Sequence, residues 1–146
     1  MIPLQADLFA ATGSAEVFLV ARLLFGGVLA FMGLNHFLNT EDMVGYAQFK
    51  GAPAPKLSVL ASGGLLVFAG LGIAVGAFPV LAGFALALFL LASAVMFHDF
   101  WTLDDPEEQQ SEMTSFLKNL FGAAGALAFA ALAGAAWPYS VGIALL

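Results

Sequence analysis

The chain has 146 residues, 62% of them hydrophobic and 10% charged, whereas an average soluble domain is roughly 45–50% apolar and about 25% charged. Four Lys/Arg and ten Asp/Glu cannot cover a water-facing surface of this size, so apolar side chains must face lipid. A net charge of −6 leaves no basic stripe for nucleic acid, and the absence of cysteine excludes disulfides, thiolate metal sites, iron–sulfur clusters and thiol redox chemistry, so that any redox role needs a borrowed cofactor.

The first sixteen residues carry Asp7 and Glu16 but no Lys or Arg, which argues against a cleaved signal peptide with its basic start. From Val17 to Phe37 the chain is apolar apart from Arg22, Asn35 and His36. About 21 residues at ~1.5 Å each reach ~31 Å, one bilayer core. This is the first predicted transmembrane helix, residues 17–37. Residues 38–56 hold Asn39, Glu41, Asp42, Gln48 and Lys50, then Pro53 and Pro55, which stop a continuous helix. Within them, 41–50 has an apolar side of Met43, Tyr46, Ala47 and Phe49, so a short interfacial helix is expected, with Thr40 as its cap.

Residues 57–77 and 79–97 form two further uncharged stretches. Hydropathy does not dip between them; Gly76 and Pro79 divide them, because a single span of that length would exceed the bilayer almost twofold. From His98 to Ser115 six acids crowd together and predict the main aqueous loop, and residues 116–137 form the fourth span, ended by Pro138. Trp137 and Tyr139 suit the interfacial belt. The expected architecture is an all-α, polytopic four-transmembrane-helix bundle, one domain over 1–146, with an interfacial helix between its first two spans.

Helical spacing puts Arg22, Gly26, Leu29, Gly33 and His36 on one face, Gly83, Ala87, Leu91, Ala94 and His98 on another, and Lys118, Gly122 and Gly125 on a third. Small residues mark the faces that pack in lipid, so His36, His98 and Lys118 are expected to point inward. Chain direction brings all three to the same leaflet. Arg22 lies deeper, where a charge costs about 2.5–3.5 kcal/mol unless paired. Glu16 or a lipid phosphate is its expected partner. The GxxxG from Gly72 to Gly76 reads as a helix-packing signal, and the acidic run from Asp104 to Glu112 as solvated loop. A haem held by the two histidines, or zinc held by His36, His98 and Asp99, lacks any supporting spacing, and no metal site is expected. Lys50, Lys56 and Lys118 outnumber Arg22 across the membrane, which assigns both long loops to the cytoplasm.

Several segments carry a family resemblance. They are Ala21-Arg22-Leu23-Leu24-Phe25-Gly26, Gly33-Leu34-Asn35-His36, Gly51-Ala52-Pro53-Ala54-Pro55, Phe97-His98-Asp99-Phe100-Trp101 and Phe116-Leu117-Lys118-Asn119-Leu120. Together they resemble the DoxX family from about Val17 to Trp137. Many members have Lys at the position of His36, so a fixed charge becomes a titratable one. The resemblance implies a four-helix integral membrane protein linked to quinone reduction, thiosulfate oxidation or membrane oxidoreductase assemblies, with redox subunits as partners. The acidic, lysine-poor composition resembles that of extreme halophiles and implies a haloarchaeal plasma membrane.

The expected function is a redox-associated membrane subunit. Its His36, His98, Asp99, Trp101, Lys118 and Asn119, with Arg22 as a further ligand candidate, would form a quinone-headgroup pocket. No cofactor is intrinsic to the chain in this reading; quinone is the one borrowed, and His98 or Asp99 relays a proton. A non-catalytic assembly or scaffold subunit, docked through its acidic loop, is the alternative. No inverted repeat or broken mid-membrane helix supports a carrier.

Overall fold

A computed structural model describes residues 8–144. Five α-helices and one short 3₁₀ turn make up the described chain: α1 (Ser14–Leu38), α2 (Thr40–Phe49), α3 (Pro55–Val75), α4 (Pro79–Phe97), the turn at Phe100–Thr102, and α5 (Pro106–Leu132). The protein is all-α, and α1, α3, α4 and α5 are each long and apolar enough to cross a membrane.

Local chemistry sets these limits. Thr40 does not cap α2; its hydroxyl donates to the carbonyls of His36 (2.8 Å) and Phe37 (3.0 Å), satisfying the end of α1, while Asn39 occupies the cap position of α2. Prolines open α3, α4 and α5 at their first turns, where the missing N–H costs nothing. Gly76 ends α3 in the left-handed conformation, φ 74°, and the N–H of Ala77 donates to the Gly72 carbonyl at 2.8 Å. The GxxxG of α3 thus ends the helix and forms the turn, while Gly72 also faces α4, where a Cβ on it would lie 3.4 Å from Ala82 Cβ; it is not the main helix-pair seam.

The seam lies elsewhere. Helix α1 packs along α3 and α4 along α5, with α3 and α4 joining the two pairs. In the first pair the backbones meet at glycines: a Cβ on Gly33 would sit 2.6 Å from the Gly63 carbonyl oxygen, and one on Gly70 the same distance from that of Gly26. In the second pair a Cβ on Gly83 would lie 2.6 Å from the Ala126 carbonyl oxygen. Lipid is as apolar as Leu, so this close packing rather than hydrophobicity holds helices together in a bilayer.

Helix α5 begins at Pro106, ten residues before the expected start of the fourth span, and takes in Glu107, Glu108 and Glu112. The reason is a capping arrangement: the Asp105 carboxylate accepts from the Glu108 N–H at 3.0 Å, with Pro106 at the first helical position. The acidic stretch is therefore mainly the first turns of a helix, and the aqueous connection shrinks to residues 98–105. At its other end α5 stops at Leu132, before Pro138. The tail folds back onto the α3–α4 turn, where Val141 N–H donates to Val75 O (2.9 Å) and Phe78 N–H to Ile143 O (2.7 Å).

Candidate functional site

A cavity of about 500 Å³ lies at the α2 end of the bundle. Helices α1, α3 and α4 wall it, α2 covers it, and α5 contributes Asn119. Its lining is mostly apolar, interrupted by His36, Tyr46, Ser58, Ser62, Ser93, His98 and Asn119.

Both histidines are held by the protein at the same ring nitrogen. His36 Nδ1 lies 3.1 Å from the Val59 carbonyl and 3.0 Å from Ser62 Oγ. A carbonyl only accepts, so the contact with Val59 is a hydrogen bond in the tautomer with hydrogen on Nδ1; the Ser62 hydroxyl then donates to the same carbonyl at 3.0 Å and its oxygen accepts. His98 Nδ1 lies 2.7 Å from Glu112 Oε2, again an acceptor. Each ring is left with Nε2, which has no hydrogen-bond partner among the described residues.

Helix α2 is fastened over this region at two points. Tyr46 Oη donates to the Phe97 carbonyl at 3.0 Å, and Lys50 Nζ is ion-paired with Asp99 Oδ1. Lys50 also lies 5.9 Å from the Tyr46 ring centroid. Burial pulls the Lys50 ammonium down, but its hydrogen bond to Asp99, with Tyr46, Asp99 and Glu112 nearby, raises it above the usual lysine value. Burial also raises the Tyr46 phenol, and the charge of Glu112 adds to this. On the buried side of α2, Ala47 packs with Ala52 and Val59.

The expected ring of polar residues is thus only partly assembled. His36, His98 and Asn119 line the cavity. Asp99 is beside it, engaged with Lys50 and accepting from Thr102 at 3.2 Å, so Glu112 and not Asp99 is the carboxylate bonded to a cavity histidine. Trp101 is 54% exposed and stacks edge-on with Phe100 and Phe116 instead. Lys118 is exposed and has no hydrogen bond or ion pair among the described residues, contrary to its expected inward placement. The face of α5 that turns inward carries Glu112, Asn119, Ala123, Ala126 and Ala130, a helical spacing that excludes position 118.

Arg22 belongs to the opposite end. Fully buried at 0% exposure, it donates through Nη2 to the Tyr139 carbonyl at 3.0 Å. The guanidinium lies 5.3 Å from the Phe18 ring centroid and 5.4 Å from that of Trp137. Neither Glu16 nor any other carboxylate among the described residues pairs with it. Glu16 accepts instead from the Tyr139 hydroxyl at 2.8 Å, a bond that raises the Tyr139 phenol. The folded-back tail, which no sequence motif announced, therefore supplies the arginine's environment.

Glu112, Lys50, Tyr46 and Ser62 were absent from the expected site. The Asp105-Pro106-Glu107-Glu108 helix start was the signal that could have revealed Glu112, because it extends the inward face of α5 back to that residue. Among the described residues, no group of three or more His, Cys, Asp or Glu could hold a metal ion.

A family model described as DoxX matches residues 17–99. The match takes in Arg22, His36, Lys50, His98 and Asp99 and stops before α5. No curated protein and no solved structure matches the chain.

Proposed function

The chain belongs to the DoxX family, and on that premise we propose that it is a redox-associated membrane subunit whose cavity beneath α2 receives a quinone headgroup. The observation that carries this reading is the pair of imidazoles, each anchored at Nδ1 and lining one apolar cavity of about 500 Å³. Such a space suits an aromatic ring, and a few convergent polar groups suffice to orient it. His36, His98 and Asn119 would hold the ring oxygens. A bound quinone supplies two-electron, two-proton chemistry that no side chain here provides. The chain's own part is to position the ring, exclude water and accept a proton at His98 Nε2, with Glu112 behind the ring at Nδ1. Partners are other redox subunits of the membrane.

The setting inferred is the plasma membrane of a halophilic archaeon, with both long connections facing the cytoplasm. Lys50, Lys56 and Lys118 support that orientation, and the buried Arg22 adds no opposing surface charge. The test is purification of the native protein, extraction of lipophilic molecules, and titration with a short-chain quinone by calorimetry. Copurified quinone or saturable binding supports the reading; the absence of both removes it. A scaffold subunit is the second reading, favoured by the exposed acids Asp104, Asp105, Glu107 and Glu108 at the start of α5. It expects those acids to be needed for a pull-down partner and the cavity to be dispensable.

A further inference from the structure

The cavity's polar groups are not evenly divided between donors and acceptors. The Tyr46 hydroxyl donates to Phe97 O at 3.0 Å, the Ser58 hydroxyl to Pro53 O, and the Ser62 hydroxyl to Val59 O at 3.0 Å. His36 and His98 direct their Nδ1 hydrogens at Val59 O and Glu112 Oε2. Five lining groups that could have donated to a ligand therefore donate to the wall. In a neutral imidazole one ring nitrogen donates and the other accepts, so with Nδ1 donating to the wall each ring that lines the cavity keeps its lone pair at Nε2, which has no partner among the described residues. Two donors remain: Asn119, whose Nδ2 donates to Ser93 Oγ at 3.4 Å, keeps a second amide hydrogen, and the Ser93 hydroxyl, which accepts that bond, has its own.

We propose that the cavity selects hydrogen-bond donors, and that its ligand is an aromatic diol of the hydroquinone class in preference to the corresponding quinone. This rests on the quinone-site reading and specifies the form that the site takes. A phenolic hydroxyl donates to an imidazole Nε2 while its oxygen accepts from Asn119. A carbonyl oxygen can answer only the few remaining donors, and leaves the imidazole lone pairs desolvated and unpaired. Glu112 is a positioning residue in this arrangement. Its carboxylate, 2.7 Å from Nδ1 and 26% exposed, favours the His98 tautomer with hydrogen on that nitrogen.

The sequence hid this bias because it lies in which carbonyl each hydroxyl reaches, and those pairings cross from one element to another. Tyr46 and Phe97 are on α2 and α4; His36 and Val59 are on α1 and α3. Composition would count the same residues as a donor-rich site.

The test uses the full chain in detergent, under anaerobic conditions, with three probes measured by calorimetry: trimethylhydroquinone, trimethylquinone and the dimethyl ether of the hydroquinone. The hydroquinone is expected to bind about tenfold tighter than the quinone, and the ether, which keeps the ring but cannot donate, to bind no better than the quinone. Glu112→Gln keeps an acceptor for Nδ1 and should preserve the preference. Glu112→Leu releases the tautomer, lets Nε2 donate, and should bring the two forms to within about threefold of each other. A quinone that binds as tightly as the hydroquinone overturns the inference and leaves the quinone site standing. Equal binding of hydroquinone and ether overturns it likewise. If no probe binds, both readings fall.

Discussion

Lys50, at the end of α2, and Asp99, two residues beyond the end of α4, form an ion pair that ties the short helix across the mouth of the bundle. Lys50 is 12% exposed and Asp99 28%, so the pair is partly shielded from water. The site's cover thus rests on one charge contact, one tyrosine hydrogen bond and the small apolar patch around Ala47.

Asp99→Asn should loosen α2 without unfolding the bundle, at a cost of about 1 kcal/mol or less for a partly exposed pair. The chain has no cysteine and Phe49 is 82% exposed, so a spin label on Phe49→Cys reports the motion of α2 alone. Its spectrum should show a more mobile label in the Asp99→Asn background at neutral pH. In the parent the Lys50 pKa is raised on folding, so the stabilisation is fully present below the ordinary lysine value of about 10.4 and is lost only as pH rises through the higher folded value. The label should therefore be immobile through the neutral range and loosen above about pH 10.5. Identical spectra for parent and variant would show that the ion pair does not hold α2.

Arg22 has one protein acceptor, the Tyr139 carbonyl, and two aromatic faces, while its Nε and Nη1 have no partner among the described residues. Arg22→Ala should destabilise the protein by about 2–4 kcal/mol through the cavity and the orphaned carbonyl. Arg22→Met fills most of the same volume and removes a buried charge, so it should cost much less. Thermal unfolding in detergent checks the order. A chain truncated before Trp137 should resemble Arg22→Ala, because the tail supplies both the carbonyl and one of the rings.

Gly63 and Gly64 are neighbours with opposite surroundings. A Cβ on Gly63 would lie 2.7 Å from the His36 Cβ and 3.1 Å from the Gly33 carbonyl oxygen, whereas one on Gly64 meets nothing within 4 Å. Gly63→Ala should cost about 1–3 kcal/mol by forcing α1 and α3 apart. Gly64→Ala should be neutral or slightly stabilising, since Ala favours a helix interior over Gly. Equal melting temperatures for the two variants would contradict the glycine seam.

Lys118→Met tests which face of α5 turns inward. An exposed lysine with no partner among the described residues contributes little to stability, so the variant should melt within about 0.5 kcal/mol of the parent. Asn119→Leu should instead alter ligand binding, because Asn119 lines the cavity. A large loss of stability in Lys118→Met would restore the inward placement that its helical register with Gly122 and Gly125 first suggested.

Hydropathy made the four long helices legible, and the small-residue stripes on α1 and α4 identified the faces that pack. His36 and His98 were found because topology puts the ends of α1 and α4 in one leaflet. Contacts between distant elements were not legible. Glu112 was hidden by reading a charged stretch as loop, although a helix start at Asp105 carries its acids into the headgroup region on its first turns. Arg22 was expected to pair with Glu16 or a lipid phosphate, and the actual arrangement needs a tail that returns more than one hundred residues later. Tyr46 and Lys50 lay on an amphipathic helix whose docking site, the end of α4, has no local signature.

The start of α5 offers the most direct test of what hydropathy missed. Asp105 accepts from the Glu108 N–H, and Glu107 and Glu108 lie in the first turn, where negative charge complements the helix dipole. Asp105→Ala removes the cap and should cost about 1 kcal/mol. That loss should fall mainly on the first two turns, because the rest of α5 is held against α4. Hydrogen exchange should then speed up for the amides of residues 107–112, with those beyond Asn119 unchanged. Glu112 lies within the loosened part, so the orientation of His98 should weaken with it and the hydroquinone preference should fall as in Glu112→Leu. Asp105→Asn, which caps as well as Asp, should restore both. If exchange quickens while ligand preference stays fixed, His98 is being held by something other than the carboxylate that α5 brings to it.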